Sequence, residues 1–128
     1  MIINPSSLQP RARYRLLIST VAPRPIAWIS TRAGDGSLNL APFSFFQAIT
    51  GTPPLVVVSI GKRKGAPKDT LRNIQETGEF VINIVADELA EKMNITSGEY
   101  GAEVNEFELA GLTPAPSEVV KAPRVAES

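Results

Sequence analysis

Asn39-Leu40-Ala41-Pro42-Phe43-Ser44-Phe45-Phe46 is the stretch whose reading decides the fold. It follows a Gly34-Asp35-Gly36 turn and precedes an apolar run, Leu55-Val56-Val57-Val58. Three aromatic rings fall within four positions, interleaved with a serine and preceded by a proline and an asparagine. Proline supplies no N–H to a ladder, so Pro42 predicts a sheet edge or a bulge rather than a central strand. Irregular backbone there leaves amides free to meet something other than a neighbouring strand. We read the stretch as the wall of a ligand site.

Working outward, residues 26–31 carry the β-branched and aromatic content of a strand. Asp35-Gly36 is a tight-turn signal, so residues 38–43 should run back antiparallel to it. Upstream, Tyr14, Leu17, Ile18 and Val21 recur at helical spacing, which predicts a helix over 10–21. Ser6 or Ser7 would cap it, Pro10 suits its first turn, and Pro23-Arg24-Pro25 ends it. Downstream, residues 50–54 read as a loop and 55–60 as a strand, apolar nearly throughout and so expected to be central and buried on both faces. Asp69 is expected to cap a helix that turns Leu71 and Ile74 inward and stops near Gly78. Residues 80–85 form a third predicted strand. Asp87 should cap a short helix through Met93, with Glu88 and Lys92 paired and Leu89 and Met93 toward the core. Residues 106–112 hold at most one helical turn, and the proline-bearing tail 113–128 shows no clear strand.

This order lacks the regular βαβ alternation of a Rossmann sheet, and neither a GxGxxG nor a P-loop motif is present. The expectation is a mostly β chain with peripheral helices, an antiparallel barrel forming a single domain over residues 1–128. The composition, 43% apolar and 20% charged in 128 residues, is that of an ordinary globular chain. Formal net charge is zero, which argues against a nucleic-acid or anionic-membrane partner. There is no cysteine and no histidine, so thiol chemistry, a Ser–His dyad and the common zinc sites are excluded. Any chemistry must use carboxylates, lysines, hydroxyls, backbone amides or an organic cofactor. The first residues lack a signal-peptide pattern and no apolar run reaches membrane-helix length, so the expected location is cytoplasmic.

Lys62, Arg63, Lys64 and Lys68 cluster just before a predicted helix start, where free N–H groups favour an anion such as phosphate. A merely solvated basic loop has the same composition. Asn39, Ser44 and Ser59 flank strand ends, either satisfying local backbone or facing a ligand. Trp28 suits a core or a stacking platform, and Arg24 a salt bridge or an anion contact. Glu88, Glu91, Glu106 and Glu108 read as solvated helix faces.

Taken together and in order, these segments are more specific. Residues 23–31, 39–46, Pro53-Pro54, Lys68-Asp69-Thr70 with Asn73-Ile74, residues 77–81 and Asn83 resemble the flavin-reductase-like FMN-binding split-barrel family. So do Glu106-Phe107, Ala110-Gly111-Leu112 and residues 123–128. The resemblance implies an antiparallel Greek-key split barrel, non-covalent FMN, and a homodimer with each site near the subunit interface. It implies that Asn39, Leu40, Ala41, Pro42, Phe43 and Ser44 lie along the flavin. Ser59, Gly61, Lys68, Asp69 and Thr70 would then contact the ribityl chain and phosphate. Hydride would pass from NAD(P)H to the flavin, with no catalytic side chain and no metal required. The alternatives are a flavin-binding storage or electron-transfer protein, and a non-enzymatic fragment that pairs with another chain. Family members continue past the segment matching residues 123–128 into strands that complete the barrel, so this chain is expected to be a truncated domain.

Overall fold

The computed structural model describes residues 2–128. Its centre is a three-stranded antiparallel sheet of β1 (Ala27–Arg32), β2 (Leu38–Phe43) and a later strand, β7 (Val81–Asn83), in the order β2-β1-β7. The Asp35-Gly36 turn closes the predicted hairpin. Gly36, at φ +92°, donates its N–H to the Ala33 carbonyl, and Asp35 Oδ1 accepts from the Ser37 N–H and hydroxyl. Trp28 pairs with Pro42 and Ser30 with Leu40. Pro42 therefore lies on an edge strand, where its missing N–H costs no ladder bond.

Alternation along β1 divides the core between the two faces of the sheet. Trp28 packs with Leu40, Leu89, Phe107, Ala110, Leu112 and Val125 on one side. Ala27 and Ile29 pack with Phe43 on the other, with Phe46, Ile74 and Ile82 around them. The indole N–H of Trp28 donates to the Thr96 hydroxyl at 2.9 Å, so this ring is core.

A second hairpin, β3 (Phe46–Gly51) and β4 (Pro54–Val58), stands apart from that sheet, with a register shift between Ala48 and Thr50. It corrects two expectations. Residues 50–54 form the end of a hairpin rather than a free loop, and the strand expected to be central and doubly buried is neither. Leu55, Val56 and Val57 are 49%, 49% and 45% exposed, and Ile49 opposite is 62% exposed. A continuous apolar run predicts burial only where something packs on both faces, and β4 has β3 as its single strand partner among the described residues. Two shorter hairpins follow: β5 (Lys62–Arg63) with β6 (Ala66–Pro67), and β8 (Pro114–Ala115) with β9 (Arg124–Val125). The last pair lies in the tail expected to have no strand. The described residues thus make separate small sheets, and no closed barrel joins them.

Helix α1 (Pro10–Thr20) begins with Pro10 in its first turn, but Gln9 holds the cap position without a side-chain bond, and neither Ser6 nor Ser7 caps it. Arg24 makes no salt bridge among the described residues. Its Nη1 donates to the Ile18 and Val21 carbonyls at 2.7 and 2.9 Å, closing the α1 C-terminus, where a cation is favoured. Helix α2 (Asp69–Thr77) ends at Gly78, whose φ of +73° suits the left-handed cap and whose N–H donates to the Ile74 carbonyl. Its cap residue is Lys68, and Asp69 is its first helical residue, engaged by Arg63 and Arg72 instead. Asp87 likewise opens a 3₁₀ turn, Asp87–Leu89, rather than capping α3 (Ala90–Ile95). Lys92 donates to the Gly111 carbonyl at 2.7 Å instead of pairing with Glu88. Helix α4 (Glu106–Leu109) is the single predicted turn, capped by Asn105. No helix among the described residues is long and apolar enough to cross a membrane.

Candidate functional site

The buried face of α2 is polar. Thr70 and Asn73, one turn apart, are its buried residues, and each is tied to the central sheet. Asn39 Nδ2 donates to Thr70 Oγ1 at 2.9 Å, and Asn73 Nδ2 donates to Thr31 Oγ1 at 3.0 Å. These bonds hold α2 against both strands, Thr70 to β2 and Asn73 to β1. Because Thr70 Oγ1 already accepts from Asn39, its own hydrogen remains available to an acceptor.

Two depressions meet at this junction. An open cleft of about 440 Å³ is lined by Tyr14, Pro42, Phe43, Ser44, Phe45, Ser59, Gly61, Lys62 and Lys68. A smaller cavity of about 130 Å³ is lined by Asn39, Ala41, Pro42, Phe43, Lys68, Asp69 and Thr70, together with Arg63, the 96–100 loop and Glu106. Pro42, Phe43 and Lys68 belong to both walls. Lys68 Nζ stands 5.4 Å from the Phe43 ring centroid, a cation–π contact that holds the ammonium at the boundary.

Ten of the eleven residues expected to contact a cofactor therefore line one or both depressions. Leu40 does not. Its side chain is in the core, and its amide donates to Glu106 Oε2 at 3.1 Å. Asp69 lines the cavity with its carboxylate already paired, to Arg72 at 2.7 Å and Arg63 at 3.6 Å. Arg63 also donates to the Tyr100 carbonyl at 3.1 Å, joining the β5–β6 hairpin to the loop before α4.

Glu106 corrects the reading of the acidic residues as solvated helix faces, since only 7% of it is exposed. Burial pushes its carboxyl above the usual range, opposed by the hydrogen bond from the Leu40 amide. A four-residue helix is too short to show periodicity, so its inward face was not legible. The neighbouring Phe107, fully buried, is the one local signal of which way the turn faces. Lys62 and Arg63, weighed in the sequence as part of a basic cluster, also line the walls, and so do Tyr14 and Tyr100, which were not among the expected contacts.

Chemically, the larger cleft combines two ammonium groups, two serine hydroxyls and aromatic walls. That set suits a flat ring joined to an anionic group. An added Cβ at Gly61 would meet no atom within 4 Å, so the cleft is open on that side.

The sequence pattern of the flavin reductase like domain matches residues 19–128, and the chain belongs to that family. An uncharacterized protein of Halalkalibacterium halodurans is 49% identical over 129 residues, covering all of this chain and 62% of its own length. Among solved structures, nitrilotriacetate monooxygenase component B from Bacillus cereus superimposes with a TM-score of 0.95 at 38% identity, over all of this chain and 63% of that one. Pseudomonas fluorescens 2-nitrobenzoate 2-nitroreductase gives a TM-score of 0.89 at 33% identity, over all of this chain and 61% of its own. The chain thus spans about three fifths of the length of these relatives.

Proposed function

We propose that this chain carries the flavin site of an FMN-dependent oxidoreductase of the flavin reductase type. The observation that carries the reading is the meeting of the two depressions at Pro42, Phe43 and Lys68. Every expected contact except Leu40 lines one or both of these depressions, on elements far apart in sequence. The donor set fits the cofactor: Lys62, Lys68, Ser44, Ser59 and the Thr70 hydroxyl suit a phosphate and polyol, while Pro42, Phe43 and the β2 edge suit a ring. A cleft of this size falls in the range of small-molecule sites.

When bound, the flavin supplies the redox chemistry, accepting hydride from NAD(P)H, which is why no histidine or cysteine is needed. The chain's own work is placement. The bonds from Asn39 to Thr70 and from Asn73 to Thr31 fix α2 against β2 and β1, so that the ring wall and the phosphate donors keep one geometry. The names of the similar structures, a monooxygenase component and a nitroreductase, support an oxidoreductase in general. The same reading takes the whole as one Greek-key split-barrel domain and as a cytoplasmic homodimer. Closing strands or a second subunit would then lie against the exposed apolar face of β3 and β4. Mixing the chain with FMN and NADH or NADPH without oxygen tests the activity. Loss of the flavin absorption near about 450 nm, faster than with free FMN, is expected. No acceleration with either nucleotide would leave this chain without reductase turnover.

A further inference from the structure

Glu106 is one of three carboxylates in the wall of the small cavity, where Asp69 is paired with arginines and Glu99 is exposed. Arg63 and Lys68 line the same small cavity, and an acceptor-only group beside them does nothing for a phosphate. Its Oε2 takes the amide of Leu40, the edge-strand N–H that points away from β1. Glu106 lies almost wholly out of solvent, yet it forms part of the cavity wall together with Asn39, Ala41 and Thr70. The groups facing it are Asp69 and Arg63, which are paired with each other, the Leu40 amide and the backbone N–H of Glu106 itself. No guanidinium or ammonium makes a salt bridge to it among the described residues. A buried carboxylate without a cationic partner is costly unless hydrogen bonds satisfy it. The Leu40 amide serves Oε2 and the residue's own N–H also faces the carboxylate, while Oε1 is not sealed in and stays open to a ligand donor in the cavity.

We propose that Glu106 is a ligand-contact residue that accepts a hydrogen bond from a donor group of the flavin, either the ring imide N–H or a ribityl hydroxyl. The inference rests on the flavin reading of the site and adds to it a specificity element: the cavity selects a ligand with a donor at that end. It also gives α4 a role beyond packing, since the same carboxylate fixes the Leu40 amide and so the wall next to Asn39 and Ala41.

Glu106→Gln is the discriminating variant. Its amide oxygen can keep the Leu40 N–H, but its NH₂ turns a donor toward the cavity. Dissociation constants for lumiflavin, N3-methyl-lumiflavin and riboflavin are measured by flavin fluorescence, with the melting temperature taken alongside. Loss of one charge-assisted hydrogen bond should weaken the affected ligand by about ten- to a hundredfold. If the ribityl hydroxyl is the donor, riboflavin weakens and both lumiflavins do not. If the imide is the donor, lumiflavin and riboflavin weaken and N3-methyl-lumiflavin does not. Equal weakening of all three means that Glu106 acts only through the wall's structure, and no change in any means that it touches no ligand. Either result overturns the proposal. A wild-type chain that binds none of the three overturns the flavin reading itself, and the role of Glu106 with it. Glu106→Ala, which removes the Leu40 contact as well, should lower the melting temperature where the glutamine variant does not.

Discussion

Asn83 offers the most direct test of how this fold is held together. Its side chain lies between β1 and the C-terminal hairpin, 3% exposed. Nδ2 donates to the Trp28 carbonyl at 3.0 Å and to Ser30 Oγ at 3.1 Å, and Oδ1 accepts the Val125 N–H at 2.8 Å. One amide thus ties β1, β7 and β9. Asn83→Leu keeps the volume and removes every one of these bonds, leaving the Val125 N–H without an acceptor and the buried Ser30 Oγ without its donor. A buried polar group stripped of its partner costs about 1–3 kcal/mol, so two of them predict a loss of about 4 kcal/mol. Unfolding entropy of about 2.1 cal/mol/K per residue scales to about 0.27 kcal/mol/K for this chain, so the midpoint should fall by about 15 °C. Thermal unfolding followed by circular dichroism measures that drop. Hydrogen exchange should show the Val125 amide losing protection before the β1–β2 hairpin does. A fall of less than about 4 °C, equivalent to about 1 kcal/mol, would refute the assignment of Asn83 as the tie.

Other expectations follow from the same contacts. Thr96→Val removes the acceptor of the Trp28 indole N–H and should destabilise by about 1–3 kcal/mol, with a shifted emission maximum from the chain's single tryptophan. Lys68→Met should weaken FMN by about ten- to a hundredfold and leave riboflavin nearly unchanged, if the ammonium serves the phosphate; equal weakening of both would place it on the ring instead. Burial raises the Glu106 carboxyl, so the native state keeps its proton to higher pH than the unfolded chain, which releases it near 4.5. Stability should therefore fall as pH climbs from there through the raised native value and level off above it. Comparing urea midpoints of wild type and Glu106→Gln across that range isolates the slope, which the glutamine variant should lack.

Local chemistry made part of this fold legible. Asp35-Gly36 dictates a tight turn whatever surrounds it, so the β1–β2 hairpin followed. Pro42 cannot serve a central strand, and it stands on an edge. Gly78 ends α2 because a left-handed residue is needed there. What failed depended on what covers a segment, or on which of several competing partners a side chain takes. Leu55-Val56-Val57 carries the composition of a buried strand, but composition does not say what covers it. Asp69 has the chemistry of a cap, yet two arginines compete for it and win. Arg24 turned to helix carbonyls rather than to a carboxylate. The residues of the candidate site were legible as a set because a resemblance supplied their order, and ten of the eleven line the two depressions. Glu106 was not, since its significance lies in the Leu40 amide, 66 positions away.

The measurement that bears most directly on the central claim is an equilibrium titration of FMN with this 128-residue chain, followed by flavin fluorescence and the visible spectrum after desalting. Saturable one-to-one binding, weakened by Lys68→Met and by Thr70→Ala, is the predicted result. A chain that folds but retains no FMN would contradict it, because the walls at Pro42, Phe43 and Lys68 would then form a cleft without the ligand their chemistry suits.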